Sequence, residues 1–198
     1  MWRKLMGKFQ KQKPDRETIS EKSDLQTLIK QMQKDSNRHT RVGEKLTQAE
    51  IEQIEGKLGL TISPSYAVFL QEFGDGAYWL YESQPIDALR TPLWFVDAHP
   101  KVANTLMTEN GEQIATKDLL CLMTEDANGG SWCWITSEKN TDNELPLVYY
   151  GFSSEEGPLA DGGLFYKLPN FVDWLDILVK EQQEVIRALD KEDKLSLG

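Results

Sequence analysis

The sequence predicts an α+β fold in which a central antiparallel sheet is packed by an N-terminal helix pair and a C-terminal helix. Three observations predict it. Two apolar stripes of helical period run back to back between residues 46 and 74, short β-branched and aromatic runs separated by turn residues follow from 119 to 167, and a third helical stripe closes the chain after Asn170. Helices segregated from a run of strands, not alternating with them, give the α+β order. With 198 residues, 39% hydrophobic and 27% charged, the chain has room for one core and enough apolar material to fill it, so general disorder is disfavoured.

The first helix of the pair opens at a capping box. Thr47-Gln48-Ala49-Glu50 places a hydroxyl and a carboxylate where orphan amides of the first turn need acceptors, and Ile51, Ile54 and Leu58 mark the buried stripe. Gly59 stops this helix because it takes the left-handed conformation without steric cost. For the second helix, Ser63 is expected to cap and Pro64 to occupy the first helical position; Tyr66, Phe69, Leu70 and Phe73 form its stripe, and Gly74 ends it.

Residues 78–81 read as a strand, whereas 86–114 carry no clear period and receive no assignment. Residues 119–124, 132–137 and 147–150 read as an antiparallel meander, joined through Asn128-Gly129-Gly130 and a polar loop over 138–144. A further strand over 164–167 precedes Asn170, which caps a closing helix from 171 to about 189 with Phe171, Trp174, Leu175, Leu178, Ile186 and Leu189 on its apolar side. Pairing Asp126 with Ser131 across the hairpin turn sets Cys133 against Thr124 and away from Cys121. Both cysteines are therefore read as reduced core thiols.

Residues 1–45 form a basic, partly helical extension, and 46–198 the domain. The extension holds two short helical patterns, Trp2, Leu5, Met6, Phe9 and then Leu25, Leu28, Ile29, Met32. It carries twelve Lys or Arg against six Asp or Glu, net +6, while residues 46–198 carry ten against twenty-six, net −16, which together give the −10 of the chain. An acidic domain repels nucleic acid and anionic lipid and steers a basic protein toward itself. No run reaches the roughly twenty apolar residues of a membrane helix, and the basic start lacks the apolar stretch of a secretory signal. The expectation is a cytoplasmic protein without stable membrane insertion or direct nucleic-acid contact; nothing in the sequence sets an oligomeric state.

Catalytic signatures are missing. The two histidines, His39 and His99, have no recognisable setting, and there is no GxSxG elbow, HExxH or Walker loop. Asp126 with Asn128, and Asp142 with Asn143 and Glu144, fall short of the alternating oxygen pattern of a calcium loop. No catalytic residue, metal or cofactor is expected. What is unusual is aromatic wealth beside acid, the composition of an interface that faces a basic surface. The rings read as outward-facing are Trp79, Trp132 and Tyr149. The carboxylates beside them are Glu72 and Asp75 after the second helix, Glu125 and Asp126 at the hairpin turn, and Glu155, Glu156 and Asp161 after the meander.

The run Leu46-Thr47-Gln48-Ala49-Glu50-Ile51 through Leu58-Gly59-Leu60, then Ile62-Ser63-Pro64-Ser65-Tyr66 and Phe69-Leu70-Gln71-Glu72-Phe73-Gly74-Asp75-Gly76, resembles the opening signature of the SUKH superfamily, the Smi/Knr-like group. The likeness extends through Gly129-Gly130 and the closing helix, over roughly residues 46–180. It implies an α+β domain with an antiparallel sheet and no enzymatic activity. It also implies an immunity protein that neutralises a cognate toxin, often a nuclease, by masking its basic active surface; the alternative within the family is a regulatory scaffold of the cell-wall type.

Overall fold

The computed structural model describes residues 24–36, 41–42, 44–74, 77–78, 93–122, 130–152 and 162–196. Its first helix, α1 (Leu25–Ser36), lies within the basic extension, yet it turns Leu28, Ile29 and Met32 into the main core. The capping box then forms as the residues require: the Thr47 hydroxyl accepts from the Glu50 amide, and Glu50 accepts from the Thr47 amide at 2.8 Å. Helix α2 (Gln48–Leu58) follows and ends at Gly59, whose φ of 64° is the left-handed cap that glycine favours.

Helix α3 (Pro64–Glu72) departs from expectation at its start. Ser63 sits at the N-cap but its side chain makes no capping bond; its hydroxyl instead accepts from the Leu145 amide at 2.9 Å. Capping is supplied from a distant loop, where Glu144 accepts from the Ser65 amide at 2.8 Å and from its hydroxyl at 2.7 Å. A carboxylate at a helix N-terminus gains both charge-assisted hydrogen bonds and a favourable dipole. The sequence gives no local sign of a partner 79 residues away.

The main sheet has five strands, β3 (Leu93–Trp94), β6 (Leu119–Cys121), β7 (Ser131–Ile135), β8 (Leu147–Gly151) and β9 (Gly163–Leu168), in that spatial order and antiparallel throughout. Between β3 and β6 come a short helix, α4 (Phe95–Ala98), and a hairpin of β4 (Thr105–Met107) with β5 (Gln113–Ala115). A separate two-stranded pair joins β1 (Arg41–Val42) to β2 (Ala77–Tyr78). The expected strand over 78–81 is thus seen at Tyr78, and 79–81 lie outside the described residues. The meander and the strand after it form as expected, and the closing helix α5 (Phe171–Ser196) starts where Asn170 accepts from the Asp173 amide at 3.0 Å.

Alternation along the strands divides the interior in two. On one face Leu120, Leu122, Trp134 and Leu147 meet α1, α2, α3 and α5. Tyr66 is the junction of that layer: its ring meets Trp134 edge-on at 4.7 Å and Phe171 at 4.8 Å, tying α3, the sheet and α5 together. On the other face Cys121, Cys133, Ile135, Val148, Tyr150 and Leu164 are covered by Phe95, Leu106 and Ile114. The described part of the segment that lacks a clear period, 93–114, therefore covers the second core. Its elements are too short for periodicity to show.

The hairpin register also differs from the expected one. Cys121 pairs directly with Cys133, three residues away from the expected pairing of Thr124 with Cys133. The two thiols are free and buried, as expected.

Candidate partner-binding surface

Strand direction brings two connections to one end of the sheet. Ser131 pairs with Tyr150 and Gly151 with Gly163, so the exit from β6 at Leu122, the entry to β7 at Gly130, the exit from β8 at Phe152 and the entry to β9 at Gly162 share that end. The opposite end carries the 136–146 connection, where Glu144 holds α3 and Lys167 bridges Glu112 and Glu138, each at 2.9 Å. Burial works against the Lys167 charge, but the hydrogen bonds it donates to Glu138 and Glu112 outweigh it and raise its pKa above the usual 10.5. That end is committed to internal bonds.

At the first end an aromatic row crosses the helix-side face. Trp132 is half-buried, its ring 6.2 Å from Trp174 and 5.4 Å from Tyr149, and Tyr149 continues to Tyr166 at 6.4 Å. Tyr166 takes a left-handed φ of 55°, and its amide donates to Glu109 at 3.3 Å. Burial first, and the Glu109 charge second, push its phenol pKa up. On the other face Tyr150 meets Phe95 at 4.8 Å, His99 at 4.9 Å and Phe152 at 5.6 Å. His99 places Nε2 3.1 Å from the Ser131 hydroxyl and lies tilted against Phe95 at 4.5 Å, so it is built into the aromatic wall.

The residues expected to meet a partner are distributed unevenly. Trp132 stands at the edge of this end, half-buried. Tyr149, expected to face outward, is only 4% exposed: its ring lies so close to the Gly130 and Gly151 backbones that a Cβ at Gly130 would overlap its hydroxyl. Glu72 is engaged with α1, accepting from Gln26 at 2.8 Å while its carbonyl accepts from Gln33 at 3.2 Å. Asp75, Trp79, Glu125, Asp126, Glu155, Glu156 and Asp161 lie outside the described residues. Sequence reasoning passed over Phe152, which at 56% exposed is the barest large apolar side chain among the described residues. Alternation gave no sign of it, since Phe152 has the parity of the buried Val148 and Tyr150 and is bare only because the strand ends there.

Among the described residues no group of three or more His, Cys, Asp or Glu is placed to hold a metal ion. No described helix is long and apolar enough to cross a membrane. A family model described as SMI1-KNR4 cell-wall, SUKH_6, matches residues 48–175. The chain belongs to this family. The match starts on the first residue of α2 and ends inside α5, so the SUKH unit comprises the helix pair, both sheet faces and the first turns of the closing helix. The SUKH family covers immunity proteins and Smi1/Knr4-like proteins and is generally non-enzymatic. A search of curated proteins finds no match.

Proposed function

We propose that this SUKH protein is an immunity protein of the cytoplasm that binds a basic toxin and covers its active surface. The observation that carries the reading is the bare Phe152 ring at the end of the sheet where two acidic connections begin and end. An exposed aromatic anchor that leads in sequence into acidic connections matches the composition of a hot spot for a cationic partner. Neutralisation by occlusion needs no catalytic group and no cofactor. The net charge of −16 over residues 46–198 supplies steering toward a toxin evolved to hold an anionic substrate such as nucleic acid.

The test is co-purification with the product of the adjacent gene, followed by titration calorimetry at increasing salt. Affinity is expected to fall as salt rises, and Phe152→Ala to weaken binding at least about tenfold with an unchanged melting temperature. An affinity indifferent to both salt and Phe152 would sink the proposal.

A second reading, a regulatory scaffold, is favoured by the +6 charge of residues 1–45, which sets a basic segment beside an acidic domain. Removing residues 1–23 separates the two. Toxin protection survives the truncation if the chain is an immunity protein, whereas a scaffold loses its second partner.

A further inference from the structure

We propose that Cys121 and Cys133 form a cross-strand dithiol that closes to a disulfide with hydrogen peroxide as oxidant, converting the β6–β7 pairing into a covalent brace next to the 123–129 connection. The inference is independent of any toxin. It stands on register: the two residues are direct partners, and their sulfurs lie 3.8 Å apart. Hydrogen bonds from the Leu122 amide to the Trp132 carbonyl and from the Thr136 amide to the Asp118 carbonyl, both 2.8 Å, fix the alternation of the ladder. Counting from either, Cys121 and Cys133 fall on a non-hydrogen-bonded pair. In such pairs Cα atoms are about 4.5 Å apart and side chains are closest, within the roughly 4.4–6.8 Å that a disulfide spans. Closure therefore asks for side-chain rotation and little backbone movement. Both thiols are free and sit in the same apolar cluster with Ile135, Val148 and Phe95.

The chemistry balances in two steps. One thiolate attacks the peroxide O–O bond, becoming a sulfenic acid and releasing hydroxide, which takes up the displaced proton as water. The second thiol then displaces the sulfenic oxygen, which leaves as a second water. Two electrons pass from the sulfurs to one peroxide. Burial pushes the Cys133 thiol pKa well up, and its contact with Cys121 adds to this, so thiolate is scarce and closure is slow near neutrality and faster in alkali.

The experiment treats the full native chain with hydrogen peroxide, quenches, denatures, alkylates and digests it. The expected result is loss of both thiols together, a single peptide pair joined within one chain and lighter by two hydrogens, and recovery of both thiols with dithiothreitol. The closed form should melt about 5–10 °C higher, as expected for a short covalent loop in a domain of this size, and this gain should vanish in Cys121→Ala. Two thiols still alkylatable after long alkaline exposure, separate over-oxidation of each, or linkage between chains would each overturn the proposal.

Discussion

At the residue scale Glu144 joins two segments that are distant in the chain. Its two oxygens satisfy the Ser65 amide and hydroxyl, and Asn140 accepts its own amide at 2.9 Å, so the 136–146 connection and the start of α3 are fixed by one carboxylate. Glu144→Ala is expected to cost about 1–2 kcal/mol, the range for a lost cap with charge-assisted bonds. Urea denaturation would show this as a lower midpoint with an unchanged slope; an unaltered midpoint would mean that water replaces the carboxylate without loss. Trp134 is a contrasting case. Its ring is buried in the main core but its indole N–H makes no hydrogen bond among the described residues, so its contribution is volume and contact.

At the scale of elements two glycines have opposite roles. Gly56 lies inside α2 with open space where a Cβ would stand, so Gly56→Ala removes backbone freedom from the unfolded chain and meets nothing in the fold. A gain of about 0.5–1 kcal/mol is expected. Gly130 precedes β7 beneath the Tyr149 ring, and a Cβ there would also come within 2.8 Å of the Tyr150 carbonyl. Gly130→Ala is expected to cost about 1–3 kcal/mol through overpacking. Thermal melts of the two variants should move in opposite directions, and a shift of the same sign in both would contradict the local packing described.

At the scale of the whole molecule the sheet is sandwiched between unlike layers, and α1 belongs to one of them. Leu28, Ile29 and Met32 are each no more than 3% exposed and pack in the same core as α3 and α5. At about 1.5–3 kcal/mol per buried side chain, their removal approaches the total stability of about 5–15 kcal/mol that a domain has. A chain beginning at Arg41 is therefore expected to lose cooperative unfolding, as followed by near-ultraviolet circular dichroism. If it melts like the full chain, α1 is not part of the folding unit.

Much of this was legible in the residues because the relevant physics is local. The capping box at Thr47, the left-handed stop at Gly59, the proline-initiated α3 and the start of α5 at Asn170 depend on neighbours within one helical turn, and the structure keeps each of them. The alternation of β7 and β8 likewise separated two faces before any partner was known. What only tertiary structure decided involves groups far apart in the chain. The cap of α3 comes from Glu144, the role of Ser63 is set by Leu145, and the inward position of Tyr149 is set by the bare backbone at Gly130. Register belongs to the same class, since a slip along the strand changes every cross-strand neighbour. It alone brought Cys121 against Cys133 and placed Phe152 at the shared end of the sheet. Spacing reports which face a side chain takes, but which atoms meet across that face follows from how distant segments pack.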